Sequence, residues 1–288
     1  MFRAIGFIGT GHMGSALARV AAKGAAGAPV YLANRTREKA RKLAQELDCR
    51  VADNETVAQC CDLIFLGVKP QLMGRVLGSL APILSARKDR FVLASMAAGL
   101  SAQTIQEMAG AEYPVIRLMP NTPVAVGAGV IQYCSLGAVD EELTAFQTLL
   151  APAGLVDRIN EDLCDAAMSL SGCGPAFCAL MMEALADGGV ACGLPRDKAQ
   201  MYTAQMMKGA AKLVLETGIH PGDMKDGVCS PGGTTIQGVR ILEEQGFRAA
   251  AMNAVIAAYE KTIALGKKMC IRDRGCWPTT APVHLSLI

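Results

Sequence analysis

The run Gly9-Thr10-Gly11-His12-Met13-Gly14 follows directly on Ala4-Ile5-Gly6-Phe7-Ile8 and leads straight into Ser15-Ala16-Leu17-Ala18-Arg19-Val20. A β-rich apolar run, a glycine turn and a helical pattern in that order suit a pyrophosphate. Gly9 permits the tight turn, Gly11 lets the backbone approach the phosphates, Gly14 allows helix and strand to pack closely, and the helix start supplies N–H groups. An ordinary flexible turn is the alternative, and the flanking strand and helix favour a dinucleotide.

About 20 residues further on, where an NAD-binding chain offers a carboxylate to the ribose hydroxyls, this one has Asn34-Arg35-Thr36-Arg37. Two guanidiniums and a hydroxyl suit a 2′-phosphate, because arginine forms charge-assisted bidentate bonds with phosphate oxygens. NADPH is expected over NADH, with use of both also compatible; solvated arginines at a helix start are the alternative. Lys69-Pro70 follows the strand-like Leu63–Val68, and Ser95-Met96-Ala97-Ala98-Gly99 ends the next one. Both fall where ligands of open α/β sheets bind. Ala97, Ala98 and Gly99 leave room for a flat ring or a ribose, or make a simple tight turn. In Arg117-Leu118-Met119-Pro120-Asn121-Thr122-Pro123 the prolines fix the backbone around Asn121, as a ligand contact or as a structural corner.

In the second half the richest local signal is Ser230-Pro231-Gly232-Gly233-Thr234-Thr235, followed at once by the amphipathic Ile236 to Glu244. Exposed N–H groups at such a helix start form an anion site of a size suited to a carboxylate, and an ordinary N-cap reads the same way. Three histidines, His12, His220 and His284, lack any arrangement resembling a triad, and no nucleophile elbow or HExxH is present. Hydride transfer to an iminium carbon needs a protein acid least, because the electrophile arrives protonated and positioning carries most of the catalysis.

These residues must be held by two kinds of element. Candidate strands are Ala4–Ile8, Val30–Ala33, Leu63–Val68, Phe91–Ser95 and Val115–Met119, with Gly129–Tyr133 and Leu155–Arg158 as possible extensions. Helical patterns alternate with them, the signature of a parallel sheet wrapped by helices. From Asp162 to Lys268 apolar residues recur at helical spacing, as Ile236, Val239 and Leu242 do, and no strand is expected. The expected division is a Rossmann-type domain over 1–160, an all-helical dimerisation domain over 161–268 and a disordered or foreign tail over 269–288.

The 288 residues suffice for two cores. Twenty-eight basic against 26 acidic residues, without a long run of either, exclude nucleic acid as an expected partner. Eleven cysteines at irregular spacing contain no CxxC pair, so no metal is expected, and with no signal peptide in evidence a reducing cytoplasm is the simplest setting. The most apolar stretch considered, Ala176 to Leu194, is interrupted by Glu183 and Asp187, so no membrane span is expected. A bundle this apolar with few aromatics has faces left to cover, which a homodimer would do.

Taken together the motifs resemble the pyrroline-5-carboxylate reductases from Ile5 to Lys268. The specific part is Leu170-Ser171-Gly172-Cys173-Gly174-Pro175-Ala176, Gly193-Leu194-Pro195-Arg196, His220-Pro221, Lys225-Asp226 and Ser230 through Ile236. The resemblance implies an N-terminal Rossmann domain and a helical domain interlocked with a second subunit, as a homodimer or a larger assembly of dimers. Its implied activity is NADPH-dependent reduction of the cyclic imine pyrroline-5-carboxylate to L-proline, the last step of proline biosynthesis. By position it implies that Ile8, Gly9, Thr10, Gly11, His12, Met13, Asn34, Arg35, Thr36, Asn54, Val68, Lys69, Pro70, Ala97, Ala98 and Asn121 line the cofactor. Glu161, Gly233, Thr234 and Thr235 would hold the substrate, with the Thr235 hydroxyl near the ring nitrogen as a partner or proton relay. Cys173 stands where the family often has serine, and Gly227 where some members place a ligand-side asparagine.

Two other readings compete. A β-hydroxyacid dehydrogenase of the 6-phosphogluconate type needs a lysine after the glycine-rich helix start, and Gly172 to Glu183 has none. An NADPH-binding sensor remains open on fold alone, though the Ser230–Ile236 turn argues for turnover.

Overall fold

The structure, a computed structural model, describes residues 1–274, with side chains to residue 264. Met1–Gly172, joined by the last helix from Tyr259 on, forms one compact unit and Cys173–Ala258 a second.

The first unit is built on strands β1 (Ile5–Ile8), β2 (Val30–Ala33), β3 (Arg50–Val51), β4 (Leu63–Leu66), β5 (Val92–Ser95), β6 (Val115–Pro120), β7 (Gly129–Leu136) and β8 (Gly154–Arg158). They form one sheet in the order β3-β2-β1-β4-β5-β6-β7-β8. Strands β1 to β6 are parallel; β7 runs antiparallel to β6, and β8 follows β7. The reversal at β7 departs from the parallel sheet expected, and β3 was not foreseen. The direct passage from β6 to β7, with only a 3-10 turn over Thr122–Val126, leaves no room for the crossover that a parallel pair requires.

Helices α1 (His12–Gly24), α2 (Arg37–Leu47), α3 (Asn54–Cys60), α4 (Pro70–Ala86), α5 (Ala102–Ala109) and α6 (Asp140–Leu150) cover the two faces, and α7 (Cys164–Ser171) closes the unit. Strands buried on both faces read as unbroken apolar runs, as Leu63–Leu66 does. On one face Phe7 and Phe65 stack at 4.5 Å between ring centroids, and Tyr133 and Phe146 extend the same core. The other face is filled by Ile8, Ile64, Leu66, Met73, Leu77 and Ile105.

The second unit contains α8 (Gly174–Ala191), α9 (Arg196–Thr217), α10 (Pro221–Gly227), α11 (Thr234–Glu244) and the start of α12 (Phe247–Arg274). Among its described residues only Ala186, Ala199 and Thr203 are buried, while Leu180, Met201, Met206, Leu213 and Met252 are exposed. Helix α7 belongs to the first unit, to whose sheet it is tied by polar bonds described below. Helix α12 carries on to Arg274, so the first residues of the expected tail are helical; residues 275–288 lie outside those described.

One expectation is corrected. The stretch Glu161–Ala191 is long and apolar enough, by length and composition, to cross a membrane, 18 successive residues within it having a mean hydropathy of 1.3. Glu183 and Asp187 interrupt Ala176 to Leu194, but the apolar run begins before Ala176. In the structure the stretch is broken at Gly172–Cys173, between α7 and α8.

Candidate active site

Because β1 to β6 are parallel, their carboxyl ends share one edge, and chain order reverses between β1 and β4, where open sheets of this kind bind ligands. The structure brings all the candidate cofactor residues to this edge. Ile8 ends β1, and its carbonyl accepts the Gly67 N–H at 2.8 Å. Gly9, at φ +100°, turns the chain where a Cβ would meet the Gly67 carbonyl oxygen at 2.6 Å, and Gly14 and Gly67 both press on the Gly9 carbonyl so closely that a Cβ on either would overlap it. A Cβ on Gly11 would meet nothing within 4 Å. The turn is thus packed on its inner side and open on the outer side, the shape through which a pyrophosphate would approach α1.

Thr10 adds a second sign. Its hydroxyl is buried and has no hydrogen-bond partner among the described residues, an uncommon state for a buried polar atom and one that a ligand oxygen would relieve. Its N–H donates to Asn34 Oδ1 at 3.3 Å, and Asn34 Nδ2 donates to the Thr36 carbonyl at 3.1 Å. Asn34 thereby ties the glycine turn to the corner after β2, where Arg35, Thr36 and Arg37 are exposed. Glu38 follows in the first turn of α2, one residue beyond the arginines.

Asn54 opens α3, whose N-cap Asp53 accepts the Thr56 N–H at 2.8 Å; the Thr56 side chain and N–H hold the Asp53 carboxyl below its ordinary range. Val68, Lys69 and Pro70 follow β4, with Pro70 as the first residue of α4, where its missing N–H costs nothing. Ala97 is buried and Ala98 exposed after β5. Asn121 is buried at the end of β6. Its Oδ1 accepts the Val130 N–H at 2.9 Å and its Nδ2 donates to the Ser171 carbonyl at 3.1 Å, so the amide pins the β6–β7 corner to the end of α7.

Glu161 lies in a 3-10 turn before α7 and its Oε1 accepts the Ala102 N–H at 2.8 Å, at the start of α5. Arg117, in the middle of β6, is buried; its Nη2 donates to Asp165 at 2.5 Å and its Nη1 lies 3.6 Å from Glu161. Gln132 on β7 exchanges hydrogen bonds with the Ser171 hydroxyl at 2.7 and 3.0 Å. The sequence reading missed Gly67, Arg117 and Gln132. The one local signal was an arginine amid the apolar residues of Val115 to Met119.

In the second unit Gly233 is the N-cap of α11, and Thr234 and Thr235 are its first two residues, both exposed. The N-cap alternative in which a side chain satisfies the helix start does not hold, since glycine has none. The Gly233 N–H itself donates to the Ser230 carbonyl at 3.0 Å, which leaves the N–H groups of the helix's own first residues to receive an anion. Among the described residues no group of three or more His, Cys, Asp or Glu is placed to hold a metal.

Comparison with known proteins accounts for both halves. The family described as pyrroline-5-carboxylate reductase dimerisation matches residues 161–265, and that described as NADP oxidoreductase, coenzyme F420-dependent, matches residues 4–99. The pyrroline-5-carboxylate reductase of Synechocystis is 42% identical over 92% of this chain and 98% of its own. That of Escherichia coli is 38% identical over 93% of this chain and 100% of its own. The crystal structure of Plasmodium falciparum pyrroline carboxylate reductase with NADP bound superposes at a TM-score of 0.80, with 33% identity, over 92% of this chain and 98% of that one. The membrane-length apolar stretch lies within the dimerisation match. With an NADP-type sheet edge, a helical region of the dimerisation type and near full-length relatives of one activity, the chain belongs to the pyrroline-5-carboxylate reductase family of oxidoreductases.

Proposed function

We propose that the sheet edge holds NADPH in preference to NADH, and that Glu161 and the Gly233–Thr235 turn contact pyrroline-5-carboxylate, giving L-proline. The observation that carries the cofactor reading is the glycine turn, closed inside and open outside, with the unpartnered Thr10 hydroxyl within it. Ile8 to Met13 would face the pyrophosphate, Asn34, Arg35 and Thr36 the ribose phosphate, and Asn54, Val68, Lys69, Pro70, Ala97, Ala98 and Asn121 the rest of the cofactor. When bound, NADPH supplies the hydride that reduces the carbon–nitrogen double bond.

The chain's own task is placement. The first N–H groups of α11 bind the substrate carboxylate with the help of the helix dipole, and Gly233 keeps the approach free of a side chain. The Thr235 hydroxyl stands as hydrogen-bond partner or proton relay to the ring nitrogen. Because the imine arrives protonated, orientation supplies most of the rate. The exposed apolar faces of the second unit are covered by a second copy of the chain, in a homodimer or an assembly of dimers, and the free cysteines of the described residues suit a cytoplasmic setting.

The test is turnover of pyrroline-5-carboxylate with NADPH and with NADH, followed by loss of reduced nicotinamide and by chemical identification of proline. Proline formed faster with NADPH at equal low concentrations supports the reading. Equal rates with the two cofactors would remove the phosphate role of the arginine corner.

A further inference from the structure

We propose that Arg117 is a positioning residue for the imine, acting through Glu161; this rests on the reading that Glu161 contacts the substrate. Arg117 pairs in register with Ser95 on one side and Cys134 on the other, level with the carboxyl end of β5. Its side chain is 5% exposed, and a buried guanidinium persists only where it is paired and hydrogen-bonded.

Asp165 alone would satisfy a purely structural role. At 2.5 Å it makes the close bond, and that bond already fastens α7 to the sheet. Glu161 is held differently. Its Oε1 accepts the Ala102 N–H at 2.8 Å and lies 3.6 Å from Arg117 Nη1, while its side chain remains 39% exposed. A carboxylate anchored by one oxygen and open on the other side is fixed in direction yet free to meet a ligand. The Nε of Arg117 has no partner among the described residues, so the guanidinium is not saturated by the protein around it.

Charge points the same way. Two carboxylates against one guanidinium leave one negative charge uncompensated, complementary to a protonated imine. Arg117 halves the field of the pair and sets where the remainder sits. Lysine, a point charge without the planar fork, cannot hold two carboxylates in the same geometry.

The experiment is a double-mutant cycle on the full-length enzyme: Arg117→Lys, Glu161→Gln and the pair, with KM for pyrroline-5-carboxylate, KM for NADPH, kcat and melting temperature measured for each. The expected result is a KM for the imine raised about ten-fold in each single variant, with the NADPH KM within about two-fold of the parent. The double variant should be no worse than Glu161→Gln alone, because Arg117 acts through that carboxylate. Effects that multiply in the double variant, or a NADPH KM that moves with the imine KM, overturn the proposal while leaving Glu161 as a substrate contact. A silent Glu161→Gln removes the contact itself and the proposal with it. Should Arg117→Lys fail to fold, Asp165→Asn decides: it leaves Glu161 as the arginine's only carboxylate and cancels the net charge. A severalfold rise in imine KM at an unchanged NADPH KM supports the proposal, and an unchanged imine KM refutes it.

Discussion

Replacing Gly11 with alanine should separate cofactor binding from folding. Gly11 is the N-cap of α1 at φ −70°, a conformation open to alanine, and the added methyl would meet nothing within 4 Å. The folding cost is therefore that of an alanine N-cap in place of glycine, about 1 kcal/mol or less, or about 2–4 °C in a chain of this size. The bound state differs, because the methyl occupies the open side of the turn through which the pyrophosphate would approach. Pushing the phosphate away by about one methyl radius forfeits at least one charge-assisted bond from an N–H of the turn, worth about 1.5–3 kcal/mol. NADPH should bind about 10- to 150-fold more weakly. Titration of nicotinamide fluorescence gives the affinity, and a thermal melt without cofactor gives the stability. Gly9→Ala is the contrasting control. At φ +100°, with a Cβ 2.6 Å from the Gly67 carbonyl, backbone strain of about 1–3 kcal/mol and overpacking of similar size should lower the melt by about 5 °C or more. An unaltered affinity in Gly11→Ala would refute the reasoning, since the open side of the turn would then have no phosphate across it.

The double substitution Arg35→Ala with Arg37→Ala should raise the KM for NADPH about ten-fold or more and leave that for NADH in place; an unchanged ratio of the two would show these arginines to be solvated charges only. Thr235→Ala should lower kcat/KM for the imine about ten-fold or more, with NADPH affinity intact, and Thr235→Ser should restore most of it; equal activity in the alanine variant would leave the hydroxyl without a role. Burial pushes the Cys61 thiol from an ordinary 9.0 up to about 12. The neutral thiol is thus favoured in the folded chain, so the stability it contributes is whole below pH 9 and drains away as pH rises toward 12. Urea unfolding across that window should show a steeper alkaline loss for the parent than for Cys61→Ala, and parallel curves would contradict the assignment.

Much of the sheet was legible because its strands are short apolar runs closed by glycine, lysine-proline or serine. Val30–Ala33 matches the expected bounds, and the others shift by a few residues. Strand β3 was illegible since two residues, Arg50 and Val51, at the sheet edge carry no periodicity. Strand β7 runs on to Leu136 beyond the expected Tyr133, through polar Ser135, and its direction depends on a partner rather than on its own composition. That the candidate cofactor residues share one sheet edge could be read because each of them ends a strand or comes soon after one. The attachment of α7 could not, because Asp165 and Ser171 meet Arg117, Gln132 and Asn121 across 39 to 50 positions of sequence, and nothing local in any of them announces the others.

The sheet order has a consequence for biosynthesis. Strand β1 is made before both of the strands that flank it in the sheet, Val30–Ala33 on one side and Leu63–Leu66 on the other. Its Ile-Gly-Phe-Ile run must therefore wait with one edge unpaired until β4 has been made, and the Phe7–Phe65 stack cannot form before then. An unpaired apolar strand is a template for the wrong partner, and long-range pairing is slow. The nascent chain therefore carries an exposed apolar strand edge from the making of β1 until β4 follows, a window that closes well before the helices of the second unit are made.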